Sequence, residues 1–417
     1  EGATYGVWGV SSGAVAISHS ELRNNSYGVR GENGLIELAS VSLHDNTSYG
    51  FYSSGAALTL VDAGVTCNDN GTGLYVANVP GLTLTAGVVC TGNGTGIALQ
   101  NCNSALIDNA VVTGNTSSGM TFSDCGLFTL GAGNTIGGVG LENGWPLTIT
   151  YGSSPAPECV IPTTGNVNND IRVAGGNSAR SSTWPLFTGL DYIVTAPLTT
   201  QAGSVLTIED GVQVLFNVNQ YFNIYGHLAA TGTAGSGVVF APNGAVSWSG
   251  LSFRGAGSGD LTYCTIEGAT YGVWGVSSGA VAISNSELRN NGYGVRGESG
   301  VISFINNRVY GNASYGIYRS AGTMIFGQSI DEWNDIYGNG GGALGRDLRN
   351  GPGDQDAKFV YWGTADPVVI DSHIHDLNDD PSLGLVNYSP ISNTGHSELT
   401  AVGDGTGDGS VLPTVFN

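Results

Sequence analysis

The sequence predicts an all-β fold, a right-handed parallel β-helix solenoid with coils of about 22–23 residues. Three observations predict it. Glycine is abundant, with 68 in 417 residues. A dipeptide that ends in glycine returns at nearly constant spacing, and apolar residues alternate in short runs between these dipeptides. Period-two alternation over a few residues is typical of short strands.

The composition excludes several classes of protein. An apolar fraction of 41% is too high for a disordered chain. A formal net charge of −21 without a basic stripe disfavours nucleic acid and anionic membranes as partners. No apolar run approaches the roughly 20 residues of a membrane-spanning helix. Charged residues make up only 11% of the chain, which suits an extracellular scaffold.

A long internal repeat dominates the sequence. The string EGATYGVWGVSSGAVAIS begins at Glu1 and again at Glu267, and the first 35 residues of the two copies differ at four positions, His19/Asn285 and Ser26/Gly292 among them. So close a duplication indicates a modular, array-building protein. Since Glu1 falls inside the repeat pattern, we expect the chain to be a portion of a longer protein.

A short period lies within the first copy. The glycine dipeptide begins at Tyr5, Tyr27, Tyr49, Thr72, Thr95 and Ser118, in steps of 22 or 23 residues. Leucine-rich repeats have a similar length, but they require a fixed leucine framework that is absent here. Three short strands and three turns fit into one such coil, and parallel strands of successive coils stack about 4.8 Å apart.

A second series has the same period. An apolar residue or cysteine is followed three positions later by asparagine in the pairs Leu22/Asn25, Leu43/Asn46, Cys67/Asn70, Cys90/Asn93 and Val112/Asn115. We predict that the first members form one inward file. We predict that the asparagines lie where the backbone bends and that their amides bond from coil to coil. The alternative is that these asparagines are only soluble turn residues.

The cysteines fit the same period. Cys67 and Cys90 are one coil apart at the same inward position, and Cys102 and Cys125 repeat that relation. In stacked coils their Cα atoms lie at a separation that a disulfide accepts. Buried cysteine also behaves as a small hydrophobe. Disulfides and stacked thiols therefore both remain open, and neither predicts catalysis.

The domain organisation follows from where the pattern stops. We predict one continuous β-helix over residues 1–353, a C-terminal cap coil over 354–392, and a Gly/Asp-rich tail or linker over 393–417. Solenoids require a cap because an open strand edge pairs with other chains.

A family resemblance supports the fold. Residues 183–216 and the runs HLAATGTAGSGVVF, WSGLSF and LTYCTIEGATYGV resemble the right-handed parallel β-helix repeat proteins of bacterial secreted and cell-surface type. Residues 361–391 are similar to the coil that closes many of these helices. For function the resemblance is broad, because this fold carries adhesins, surface-array components, tailspikes, lyases and polygalacturonases.

Enzymatic motifs of the fold are largely missing. Polygalacturonases that resemble this fold carry an NTD motif, an Asp pair, a GHG motif and an RIK motif. This sequence contains only partial matches to them, at Asp379-Asp380 and Gly395-His396. Lyases use a Lys or Arg base, but Lys358 is the only lysine. Two pairs of arginines are copies of each other, Arg23 with Arg289 and Arg30 with Arg296.

We therefore predict no catalytic residue, and we expect the protein to be an architectural element more than an enzyme. The alternative is a carbohydrate-active enzyme, namely a polysaccharide lyase, epimerase or hydrolase.

The sequence contains two weak candidates for a metal-binding site. His373 and His375 lie two positions apart beside Asp371 and Asp376, which fits a transition metal or a solvated turn. Two further carboxylates, Asp404 and Asp408, lie in a Gly/Asp-rich run that matches no complete EF-hand. We predict no metal site and no cofactor, with Ca²⁺ as the alternative.

The tyrosines are the predicted binding residues. They line up along one edge and offer amphipathic rings to a sugar or a neighbouring molecule. The alternative, which we favour, is that they pack over a turn and shield the strand ends. The six positions are Tyr5, Tyr27, Tyr49, Tyr271, Tyr293 and Tyr315.

The predicted function is a non-enzymatic structural or adhesive module of a larger repeat protein, secreted or at the cell surface, that self-assembles into an array or filament. The expected partners are copies of itself, neighbouring surface proteins or extracellular glycan, with neither nucleic acid nor membrane insertion.

Overall fold

The structure, a computed structural model, describes residues 1–10, 13–60, 62–342, 344–396 and 415–416. It confirms the predicted fold class. About half of the chain is strand and 3% is helix, and parallel sheets stack as a β-solenoid of about 16 turns. In the described residues no helix has both the length and the apolar character needed to cross a membrane.

The chain forms two compact units, Glu1–Gly176 with Phe187–Tyr192, and Asn177–Leu186 with Ile193–Asn417. The predicted division into helix, cap and tail stays a prediction. Most of the predicted tail, with Asp404 and Asp408, lies outside the described residues.

The first unit contains strands of three faces. The tyrosine face comprises Tyr5–Val10, Tyr27–Glu32, Tyr49–Ser54, Thr72–Ala77, Thr95–Gln100, Ser118–Ser123, Leu147–Ile149 and Ile171–Val173. The second face comprises Ala14–Arg23, Leu35–His44, Thr66–Asn68, Val89–Thr91, Val111–Thr113 and Thr135–Ile136, with Ala57–Leu60 beside Leu35–His44. The third comprises Gly81–Leu84, Ser104–Ile107, Leu127–Leu130 and Ser154–Pro155.

The second unit repeats this plan. Its tyrosine face comprises Gly176–Ser178, Leu198–Thr200, Tyr221–Ile224, Trp248–Phe253, Ala269–Gly275, Tyr293–Gly297, Tyr315–Arg319, Leu348–Arg349 and Ile374–His375. The second face comprises Ser182–Trp184, Val205–Ile208, His227–Thr231, Ser258–Thr262, Ala280–Ser284, Val301–Ile305 and Thr323–Ile325. The third comprises Tyr192–Val194, Gln213–Phe216, Val238–Pro242, Cys264–Glu267, Glu287–Arg289, Arg308–Tyr310, Asn334–Tyr337 and Val360–Tyr361.

The inward file holds the coils of the first unit together. Leu22 pairs in register with Leu43, Leu43 with Cys67, Cys67 with Cys90, and Cys90 with Val112. From Leu43 onward these side chains are fully buried. Each coil therefore removes the apolar surface of the next from water, at about 25 cal/mol per Å².

The asparagines form a hydrogen-bonded ladder beside this file. The backbone N–H and Nδ2 of Asn70 both donate to Oδ1 of Asn93, at 2.9 and 3.1 Å, and Asn93 donates in the same way to Asn115. Nδ2 of each residue also donates to the carbonyl of an inward residue, as Asn93 does to Cys67 at 2.9 Å. The ladder begins with Asn25 and Asn46 and continues to Asn143 and Asn166, which the sequence analysis did not include.

A residue with left-handed backbone lies directly before most of the ladder asparagines. Asn24, Asp45 and Asp69 have φ of 57°, 55° and 53°, and Gly92 has φ of 72°. Asparagine, aspartate and glycine tolerate this region. One residue thus forms the backbone bend, and the asparagine that follows it forms the ladder.

The C-terminal coil differs from the rest. The short helix Pro367–His373 is capped by the Asp366 carboxylate, which accepts a hydrogen bond from Val368 N–H at 3.0 Å. Single turns of 3₁₀ helix lie at Ile330–Glu332 and Gly340–Gly342. Two strand pairs follow, Gln355–Asp356 with Val386–Asn387 and Ile391–Ser392 with Val415–Phe416.

Candidate functional site

A column of stacked tyrosines runs up the tyrosine face of each unit. Tyr5 pairs in register with Tyr27 and Tyr27 with Tyr49, with ring centroids 5.4 and 5.2 Å apart. The structure therefore brings the three predicted tyrosines of the first unit together on its outer surface.

A second column, three residues along each strand, stands beside the tyrosines. In the first unit it contains Trp8, Arg30, Tyr52 and Tyr75, and Arg30 lies 5.2–6.0 Å from four ring centroids. The guanidinium also pairs with Glu32 at 2.6 Å. Cations held over aromatic faces in this way gain about 0.5–2 kcal/mol each.

The second unit carries the same two columns. Tyr271, Tyr293 and Tyr315 stack at 5.2 and 5.6 Å. Arg296 lies 5.4–5.9 Å from the rings of Tyr271, Trp274, Tyr293 and Tyr318. We name both regions aromatic–arginine surfaces. They contain Tyr5, Trp8, Tyr27, Arg30, Tyr49, Tyr52 and Tyr75 in the first unit and Tyr271, Trp274, Tyr293, Arg296, Tyr315 and Tyr318 in the second.

Sequence reasoning identified only the first column. The second was visible as a motif, because tyrosine and glycine are followed by one apolar residue and then by Trp, Arg or Tyr in YGVW, YGVR and YGFY. In a regular strand the third residue after an outward one points inward. The alternation breaks at the glycine, so that the tyrosine and the residue three positions after it both lie on the outside. The partial exposure of both side chains shows this.

The stacking decides what these surfaces present to solvent. Because the rings stack along the direction in which strands repeat, each inner ring has a neighbouring ring on both faces, and its edge and hydroxyl point outward. Burial raises the pKa of Tyr49, and it raises the pKa of Tyr75 to about 12. The hydroxyls of both stay neutral at physiological pH and act as hydrogen-bond donors and acceptors.

A cleft of ≈ 300 Å³ opens at the start of the second unit's aromatic–arginine surface. Tyr221 and Tyr271 stand on either side of Gly250, which is in register with both. Arg254 and Trp274 line it as well. Arg254 Nε donates to Asn223 Oδ1 at 3.0 Å and to Ser252 Oγ at 3.1 Å, and its guanidinium lies 5.1 Å from the Trp274 centroid.

A buried charge cluster lies on another face of the second unit. Arg308 donates to Glu287 at 2.9 Å and lies 3.8 Å from Asp335, and these carboxylates are only 3% and 1% exposed. His396 contacts Asp335 through its backbone N–H, at 2.7 Å, and through Nδ1, at 3.0 Å, and its ring stacks on Trp333. The sequence analysis missed this cluster because its members come from separate coils.

The cysteines lie in the predicted pairs with reduced thiols. Cys67 and Cys90 are in register, and a hydrogen bond between them, with burial, raises the pKa of the Cys90 thiol. A hydrogen bond to Cys102, with burial, raises the pKa of Cys125. High thiol pKa values oppose nucleophilic chemistry.

The histidines and aspartates considered for metal binding are engaged within the protein. His373 Nδ1 lies 2.9 Å from Asp347, and His375 lies 3.7 Å from Asp379. Asp371 accepts a hydrogen bond from Tyr388 at 2.8 Å. Within the described ranges no group of three or more His, Cys, Asp or Glu side chains is arranged to hold a metal ion.

Comparisons with protein-family models, with curated proteins and with solved structures find no match for this chain.

Proposed function

We propose that this chain is a non-enzymatic structural and adhesive module of a larger extracellular repeat protein of bacterial surface type, and that it associates with copies of itself through its aromatic–arginine surfaces. The observation that carries the proposal is that the same outward combination of tyrosine, tryptophan and arginine occurs in both units. An array-building protein repeats the surface through which it assembles, and here both copies of the duplication keep the same surface.

The composition of these surfaces supports contact with protein. Tyrosine, tryptophan and arginine are the residues that contribute most to binding at protein interfaces. Stacking and the strand backbone hold these side chains in place, so that little side-chain entropy is lost on association. Ring edges and hydroxyls also suit a partner that offers backbone and side-chain hydrogen-bonding groups.

Two surfaces on each chain make association extendable. A chain that offers one such surface binds one neighbour, whereas a chain with two binds two and propagates. The net charge of −21 opposes this association, and salt screens such repulsion. Association is therefore expected to strengthen as the salt concentration rises.

The carbohydrate-active alternative has less support. Glu287 and Asp335 are the two most deeply buried carboxylates of the charge cluster, and both lie against Arg308. A hydrolase requires one carboxyl as a proton donor and a second as base or nucleophile. Side chains that are only 3% and 1% exposed are not accessible to a glycosidic oxygen.

Sedimentation velocity of the whole chain tests the proposal. We expect concentration-dependent association that strengthens between about 0.01 and 0.15 M salt. The double variant Arg30→Ala/Arg296→Ala is expected to weaken it. Tyr225→Ala is the matched control, because Tyr225 is 40% exposed but belongs to neither surface. A wild-type chain that stays monomeric at every concentration and salt level contradicts the proposal.

A further inference from the structure

The tyrosine column of the second unit has a gap of one strand. Tyr271, Tyr293 and Tyr315 occupy the same register position in three successive strands. Gly250 occupies it in the strand before them, and Tyr221 in the strand before that. Neighbouring strands lie about 4.8 Å apart, so Tyr221 and Tyr271 stand roughly two strand spacings from each other. The space of one missing ring remains between them.

We propose that this cleft, the Gly250 slot, binds one pyranose ring of an acidic glycan, with the sugar ring between Tyr221 and Tyr271 and its carboxylate on Arg254. This inference goes beyond self-association and does not depend on it. It is carried by the gap in the tyrosine column, by the charge of the slot and by the backbone at Gly250.

The ring of Tyr271 contacts Trp274 at 4.7 Å and Tyr293 at 5.2 Å, and no side chain projects from Gly250 in the strand before it. Pyranose rings carry axial C–H groups that pack on aromatic faces, and sites for small ligands combine such apolar contact with a few polar groups that set orientation. A space about two strand spacings wide accommodates one saturated ring in contact with aromatics on both sides.

The charge of the slot favours an anion. Its lining contains Arg254 and no carboxylate. Arg254 Nε is held by Asn223 and Ser252, and the rest of the guanidinium extends over Trp274. In the described part of the chain Arg254 has no carboxylate partner, whereas the neighbouring Arg296 pairs with Glu298 at 2.6 Å. The planar guanidinium matches the two oxygens of a carboxylate.

The backbone keeps the slot open. Gly250 has φ of +111°, and a Cβ there would lie 1.6 Å from the carbonyl oxygen of Tyr271. The register shifts between Gly250 and Leu251, as in a β-bulge. Only glycine fits, and therefore no side chain at position 250 can fill the gap in the column.

Isothermal titration calorimetry of the whole chain tests the proposal with four probes. The probes are a tri-galacturonate, a glucuronate-containing trisaccharide, sialyllactose, and lactose as the neutral counterpart. The first two carry hexuronates and the third a sialic acid, so they distinguish the two sources of a carboxylated pyranose. We expect saturable binding of at least one carboxylated probe, and binding of lactose at least about tenfold weaker.

Variants locate the site. Tyr221→Ala and Arg254→Ala are each expected to weaken binding of the carboxylated probe by about tenfold or more, a loss of about 1.4 kcal/mol. Arg254→Lys keeps the charge but not the planar fork, so that an intermediate loss is expected. Tyr225→Ala is the matched control, because Tyr225 is 40% exposed and lines neither the slot nor an aromatic–arginine surface.

Three outcomes would overturn the proposal: no binding of any carboxylated probe, equal affinity for lactose, or unchanged affinity in both Tyr221→Ala and Arg254→Ala. Circular dichroism and the melting temperature of each variant separate a lost site from a lost fold. Tyr271 and Trp274 belong to both the slot and the second aromatic–arginine surface, whereas Tyr221 and Arg254 belong to neither surface, so loss of glycan binding in these two variants is distinguishable from loss of self-association.

Discussion

The two copies of the duplicated segment have almost the same sequence but different surroundings. Glu21 and Glu287 are equivalent residues, yet the strands that follow them differ. Glu21 is in register with Ser42, whereas Glu287 is in register with Arg308. In a solenoid the neighbouring coil, and not the local sequence, sets the environment of an outward residue.

The largest expected difference between the copies concerns these glutamates. Glu287→Gln removes the charge opposite Arg308 and Arg289, which are 14% and 33% exposed. Breaking a buried ion pair on one side costs about 3 kcal/mol. The equivalent Glu21→Gln change is expected to cost much less, because no arginine lies opposite Glu21 on the following strand. Urea denaturation of both variants measures the change in the free energy of unfolding, and equal losses of stability in the two variants would contradict this expectation.

The ladder asparagines Asn46 and Asn312 are equivalent and should lose the same amount of stability. Nδ2 of each donates to the carbonyl of an inward leucine and to Oδ1 of the next ladder asparagine. Asn46→Ala and Asn312→Ala therefore each leave buried groups unsatisfied and should each cost about 2 kcal/mol. Thermal denaturation of the two variants provides the measurement, and a loss in only one of them would refute the interpretation.

Trp274 gives a smaller effect. Its ring centroid lies 5.1 and 5.5 Å from the guanidinium carbons of Arg254 and Arg296. Trp274→Ala should therefore destabilise by about 1 kcal/mol. Trp274→Phe, which keeps a ring, should recover part of this loss in the same denaturation experiment, and equal losses in the two variants would contradict the interpretation.

The smallest effect depends on pH. Hydrogen bonds to Asp45 and then to Glu21 raise the pKa of His44 above 6.5. Its contribution to stability is thus fully present below pH 6.5 and is lost as the pH rises through the raised value. The Glu21 pKa is lowered by His44 and then Arg23, so its contribution is lost as the pH falls through that lowered value. The equivalent of His44 in the second copy is Tyr310.

We therefore expect a slight fall in the melting temperature of the first unit between about pH 6 and pH 8. His44→Gln should abolish this fall, whereas Tyr310→Phe should leave it unchanged. A fall of the same size in His44→Gln would assign the pH dependence to other groups.

The regular coils were predictable from sequence, and the irregular ones were not. The inward file from Leu43 to Val112 was predictable because its members are separated in the sequence by the length of one coil. Asn143 and Asn166 continue the asparagine ladder, but they follow longer and less regular turns, so no constant spacing marks them. In the second unit the ladder ends on Asp347, which accepts both hydrogen bonds from Asn339, at 2.9 and 2.8 Å. Burial raises the pKa of that carboxyl.

The sequence by itself determined the coil length, the strand class, the inward file and the column of tyrosines, because these depend on periodicities that the backbone geometry imposes on any chain. Only the tertiary structure decided which outward residues are exposed, where Arg254 stands without a carboxylate, and where Gly250 leaves the column open. These properties depend on residues of neighbouring coils, about 22 or more positions apart, whose pairing no local pattern records. The same glutamate therefore faces a serine of the next coil in one unit and an arginine in the other.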